Sequence, residues 1–136
     1  MGLNLFGKKN VSDTVTKAAP YSISTEFFPY RIYANKRGSA RLRVKIKNIT
    51  NEPVLSSVVV ELPKQLSFDS TGIEKSKELR VGNIAPNEEK EVYFDINSDT
   101  STDKGEYTVM LTAFVHYRDY GHVLNAERKS ISLEAV

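Results

Sequence analysis

The sequence predicts an all-β chain: one antiparallel sandwich of about seven strands behind a short N-terminal tail. Three observations predict it. From Tyr21 onward apolar residues recur at every second position, the period of a strand with one buried face. Turn signals rich in Gly, Pro, Asn and Asp separate these stretches at spacings near ten residues. No segment carries a convincing 3.6-residue period. The 136 residues suit one domain, expected over 21–136, with a flexible tail over 1–20. That length buries a core without disulfides or metals.

Ile23, Thr25 and Phe27 alternate with Ser22, Ser24 and Glu26 as a first strand, which Pro29 ends. Asn35-Lys36-Arg37-Gly38 is a turn. In the clearest strand, Ala40, Leu42, Val44 and Ile46 point one way and Arg41, Arg43, Lys45 and Lys47 the other. After a polar turn from Asn48 to Pro53, Val54 to Leu62 forms a strand rich in β-branched residues. Leu66 and Phe68 suggest a short extended piece, and Glu78 to Val81 a short strand before a bend over Gly82 to Asn87. Lys90, Val92, Phe94 and Ile96 share one face of the next strand, with Glu89, Glu91, Tyr93 and Asp95 on the other. Tyr107, Val109, Leu111, Ala113, Val115 and Tyr117 make a long inward face, and Asp119-Tyr120-Gly121-His122 a hairpin turn. The last strand, Val123 to about Glu134, breaks its alternation: Leu124 and Ala126 share one parity, Ile131 and Leu133 the other. A bulge near Glu127 to Lys129 is expected there. Strands in this number and spacing predict an immunoglobulin-like sandwich, with a small closed barrel as the alternative.

Composition excludes several chemistries. Without cysteine there is no thiol nucleophile, disulfide or thiolate zinc site. The formal net charge of +2 is too small to argue for nucleic acid. No run approaches the 18 apolar residues of a membrane-spanning helix. The Leu3-Asn4-Leu5-Phe6 run is too short for a signal peptide and Lys8-Lys9 follow it, so a cytoplasmic location is expected unless an export segment precedes it. Phe6 stands where a myristoylation motif wants Ser or Thr. Asn10-Val11-Ser12 and Asn48-Ile49-Thr50 match the glycosylation triplet, which matters only in a secreted protein. Phosphate-binding glycine loops and a nucleophile-elbow sequence are absent. No catalytic residue, cofactor or metal site is therefore expected.

Four segments, in order, resemble the CARDB-like and NEW3-like immunoglobulin-fold domains common in archaea and bacteria. They are Ala40-Arg41-Leu42-Arg43-Val44-Lys45-Ile46-Lys47-Asn48, Val60-Glu61-Leu62-Pro63, Ile84-Ala85-Pro86-Asn87-Glu88 and Gly105-Glu106-Tyr107-Thr108-Val109. In the third, Asn87 stands where those domains usually carry Gly. The resemblance covers about residues 21 to 134. It implies the sandwich fold and a role as an adhesive, spacer, oligomerisation or substrate-presenting module.

Two surfaces stand out. Met110 and Phe114 occupy outward positions of the long strand, and Val59 faces the same way on the strand expected beside it. Such an apolar patch marks a protein partner or self-association in a homodimer, unless the tail with Leu3, Leu5 and Phe6 covers it. An edge strand offering β-augmentation is a further route to a partner. The second surface is the stripe Arg41, Arg43, Lys45 and Lys47. Together with the tail Leu3-Asn4-Leu5-Phe6-Gly7-Lys8-Lys9 it suits an anionic partner, a nucleic acid or membrane surface. The structural reading is preferred: the immunoglobulin-like order sets this strand beside Glu89, Glu91 and Asp95, so the charges pair. His116, Asp119 and His122 cluster near the hairpin, where exposed polar residues are a better reading than metal ligands.

Overall fold

In the computed structural model, which describes residues 20–136, the two-residue rhythm builds eight strands. These are β1 (Tyr21–Phe28), β2 (Arg31–Ile32), β3 (Gly38–Asn48), β4 (Val54–Glu61), β5 (Ser76–Ile84), β6 (Glu89–Ser98), β7 (Gly105–His116) and β8 (Val123–Ala135). The expected tail lies outside the described residues, apart from Pro20. No helix occurs among the described residues. The strands form two sheets, one ordered β1-β3-β6 and the other β2-β8-β7-β4-β5. Every pairing is antiparallel except the short β2–β8 contact. Two separate open sheets make a sandwich and not a closed barrel.

Alternation decides what each sheet buries. Leu42, Val44 and Ile46 of β3 are fully buried, as is Phe94 opposite Leu42 on β6. They meet Val58 and Val60 of β4, Val109, Leu111 and Ala113 of β7, and Leu133 of β8 in one core. Tyr117, expected to point inward, lies beyond the end of β7 and is exposed.

Three local readings change. β5 runs from Ser76 to Ile84, longer than the expected Glu78–Val81, because pairing with β4 continues through a bulge. Gly82 opposes Ser56 there while Arg80 opposes Ser57, leaving Val81 extra, and Gly82 takes a φ of 88° that suits glycine. Leu66 and Phe68 are buried core residues on a loop, with a single bridge between Ser67 and Asn97. The bulge expected at Glu127 to Lys129 is absent. The β7–β8 register shifts between Val115 and His116, leaving Leu124 as the extra residue. Parity breaks earlier because Glu127 and Lys129 point inward at the open side of the sandwich. The Lys129 ammonium donates there to the Ile23 carbonyl at 3.3 Å, bridging the two sheets.

The turn at Asn87 explains its departure from the resembled motif. Its φ of 64° lies in the left-handed region, which Gly enters freely and Asn tolerates better than most residues. Asn48, in the second glycosylation triplet, is buried with its amide fully engaged, so it offers no accessible acceptor.

Tyr21 ties the sheets together. Its hydroxyl shares a hydrogen bond with Ser56 Oγ and donates to the Phe114 carbonyl at 3.0 Å. Burial pushes its pKa up to about 12; the Ser56 bond opposes this and the Glu127 charge adds to it. The folded value exceeds the unfolded one, near 10, so the stability it contributes is complete below about pH 10. It is lost as pH rises through about 12. The loss is expected to be on the order of 2–3 kcal/mol. Urea midpoints between pH 9 and 12 should fall more steeply for the parent than for Tyr21→Phe. Parallel slopes would refute the buried hydroxyl.

Candidate interaction surface

The outer face of the five-stranded sheet is built by pairing register. Phe114 stands between Ser57 on β4 and Ala126 on β8. Met110 stands between Glu61 and Ser130, and Thr112 between Val59 and Arg128. Val59, Met110 and Phe114 therefore share one face, as their parity predicts, and all three are half-buried. Glu78 and Arg80 of β5 flank the stripe beside Val59 and Ser57.

At the hairpin end this face changes character. His116 is buried, at 7 % exposure, against its reading as an exposed hairpin residue. Its Nε2 shares a 2.6 Å hydrogen bond with Ser57 Oγ. The Tyr120 ring stands edge-on to the imidazole at 5.0 Å, and the Arg80 guanidinium lies 4.6 Å from the centre of the Tyr120 ring. Ser57 is wholly buried, and His116 Nδ1 has no hydrogen-bond partner among the described residues. The cluster anchors the hairpin to the sheet.

Beyond His116 lies an open groove of about 1280 Å³. Leu55, Leu124, Ala126 and Arg128 line it from the strands, Tyr117 from the hairpin after β7, and Thr50 to Pro53 from the β3–β4 loop. Leu124 is 68 % exposed, and its neighbour Val123, opposite His116, is 57 % exposed. Sequence reasoning missed these two as surface residues. The signal was present in the parity of Leu124 and Ala126, which the expected bulge explained away.

The basic stripe sits on the outer face of the other sheet. Arg41 bonds Asp95 at 2.9 Å, Arg43 bonds Glu26, and Lys45 lies 3.8 Å from Glu91. Lys47 stands between Ser22 and Glu89. The Asp95 hydrogen bond raises the Arg41 pKa further. The Tyr93 hydroxyl holds the Glu91 carboxyl below its usual range, with Lys45 and Arg43 acting the same way against desolvation. Arg43 also lies 5.0 Å from the Phe28 ring and Arg41 5.7 Å from the Tyr93 ring. Two of the four cations, Arg41 and Lys45, pair with the acidic residues named for them on β6, and Arg43 pairs instead with Glu26 on β1.

His116, Asp119 and His122 do not converge. His116 faces Ser57, while His122 Nδ1 pairs with Asp119 at 2.8 Å and lowers the Asp119 pKa. Among the described residues no group of three His, Cys, Asp or Glu side chains is placed to hold a metal ion.

No family model matches the chain, and no curated protein matches it by sequence. Solved structures do match. The native conformation of E. coli alpha-2-macroglobulin is similar at 18 % identity and a TM-score of 0.58, over 88 % of this chain. The likeness spans only 7 % of that chain. It shows the fold alone, the all-β sandwich of two sheets. A CARDB domain from Pyrococcus furiosus, the kind of domain the sequence motifs resemble, is similar at 21 % identity and a TM-score of 0.47, over 85 % of this chain and 89 % of that one. An ASH/PapD-like domain of human CEP192 is similar at 11 % identity and a TM-score of 0.46, over 100 % of this chain and 96 % of that one.

Proposed function

We propose that this chain is a non-catalytic protein-interaction module whose docking surface is the hairpin end of the five-stranded sheet. One observation carries the reading: Phe114, at the end of the half-buried stripe with Val59 and Met110, stands beside Ala126, which lines an open groove together with exposed Leu124. Apolar residues gathered at a concave surface mark interaction sites. The polar residues around them, Glu61, Glu78, Arg80 and Arg128, form a rim that gives orientation. A second copy of the chain is the alternative occupant. The anionic-partner reading draws less support, because Arg41, Arg43 and Lys45 each already face a carboxylate.

Affinity capture from the native cell with the parent and with Leu124→Asp tests this. Leu124 is exposed, so the variant is expected to keep its fold. A protein held by the parent and released by the variant is the expected result. Equal capture by both would sink the proposal. Sedimentation of the parent across concentrations separates the second copy from a different partner.

A further inference from the structure

The two sheets are unequal: three strands face five. β6 closes the narrower sheet and β5 the wider one, and neither has an outer neighbour among the described strands. One bridge fixes which way the β6 peptide groups turn. The Asn97 N–H donates to the Ser67 carbonyl at 2.7 Å, and the Asn97 carbonyl accepts from Ser67 N–H at 3.0 Å. Asn97 therefore points its backbone away from β3. Peptide direction alternates along a strand, so Glu89, Glu91, Tyr93 and Asp95 point theirs outward too. The Asn48 N–H donating to the Glu88 carbonyl at 3.1 Å gives the same parity from the opposite end. Ser67 uses only the far end of this edge. From Glu91 to Asp95 the outward groups have no backbone partner among the described residues.

The side chains behind this edge are apolar. Leu79 and Val81 of β5 and Val92 of β6 pack against the core but stay half-buried. Half-buried Lys77 and Lys90, which share the inward parity, stand at the two ends and leave an apolar window between them. The opposite side of the sandwich is guarded differently. There β8 turns Glu127 and Lys129 inward, and Lys129 closes onto the β1 backbone. Inward charges of this kind block strand addition. The outward side chains of β6 are Glu89, Glu91 and Asp95 beside Tyr93. Their cationic partners lie one strand further in, on β3. A neighbouring strand meets the carboxylates first.

We propose that β6 accepts a short extended segment of a protein partner as a fourth strand, apolar on its inward positions and carrying Lys or Arg on its outward ones. Backbone bonds to Glu91, Tyr93 and Asp95 supply the attachment, and burial of Leu79, Val81 and Val92 adds to it. The surface is separate from the groove beside Leu124.

The probe is a heptapeptide alternating Lys and Val, titrated into the isotope-labelled chain. The amide signals of Glu91, Tyr93 and Asp95 should shift, and their hydrogen exchange should slow, more than those along β1 and β8. Replacing its Lys by Glu should weaken binding at least about threefold, since like charges across strands repel. Methylating the peptide amides that face β6 should abolish binding without touching the protein. Glu91→Pro should do the same, because it removes an N–H outside the ladder. Leu124→Asp should leave the titration unchanged, so failure here is separable from failure of the groove. Shifts spread equally over all edges, or undiminished binding by the methylated peptide, would overturn the proposal.

Discussion

Truncating Phe94 to Ala is expected to destabilise the domain by about 3–5 kcal/mol. The ring is wholly buried on β6, opposite Leu42 of β3. It meets the Phe68 ring at 6.1 Å with a tilt of 48°. Two terms add. Transfer of a benzyl group out of the core loses its hydrophobic burial, and the cavity left behind loses dispersion contacts that the neighbours cannot recover. The narrower sheet has only three strands, so few side chains are positioned to refill the space. Phe68 also loses its ring partner, and with it the loop between β4 and β5 loses an anchor. Typical domains are stable by about 5–15 kcal/mol, so this one change removes a large share. Urea unfolding should show a lowered midpoint with an unchanged slope. Tyr93→Ala, one residue away and half-exposed, is the control and should cost about 1 kcal/mol or less. If both variants lose equally little, the inward face of β6 is not core and the sandwich is wrong.

Most of this architecture was legible where polarity and parity agree. β3 alternates aliphatic with basic residues over its whole length, so its faces and its acidic partner on β6 could be read directly. The sharing of one face by Val59, Met110 and Phe114 followed from the same parity argument. Legibility failed where the fold spends charged residues inward or core residues on loops. Glu127 and Lys129 break the pattern of β8 because the sheets open there, which no local window reveals. Leu66 and Phe68 are core by position, although their segment makes only one bridge. His116 is buried by Ser57 from a neighbouring strand and by Tyr120 from the hairpin. That burial depends on register, which a single sequence does not give. The open edge of β6 was beyond sequence reasoning for a related reason: it depends on how many strands each sheet holds.

Asn48→Asp is expected to be nearly as damaging as the loss of Phe94, by a different route. The Asn48 amide is fully buried and uses its entire bonding capacity. Nδ2 donates to the carbonyls of Glu52 at 2.7 Å and Ile84 at 2.9 Å. Oδ1 accepts from the Thr50 N–H at 2.9 Å and the Thr50 hydroxyl at 2.6 Å. One side chain thus joins the end of β3, the β3–β4 loop and the end of β5. Asn48→Ala removes the Ile84 carbonyl's side-chain donor and the Thr50 N–H's acceptor, while the Thr50 hydroxyl still reaches the Glu52 carbonyl at 3.0 Å, for an expected loss of about 2–3 kcal/mol. Asn48→Asp keeps the acceptor but turns a buried carboxylate oxygen toward two carbonyl oxygens, which is worse. The sign of its pH dependence follows. Burial among acceptors raises the folded pKa of the new carboxyl above its unfolded value. The variant is therefore least unstable at low pH, where the protonated acid donates one bond, and loses stability as pH rises. The deficit of Asn48→Ala should not vary with pH. Thermal unfolding of both variants between pH 4 and 8 distinguishes the cases. Because Thr50 to Pro53 line the groove, either substitution should also weaken partner capture there while leaving peptide addition at β6 intact. A flat profile for Asn48→Asp would mean that the amide is not buried among those carbonyls, and the loop that shapes the groove would have to be drawn differently.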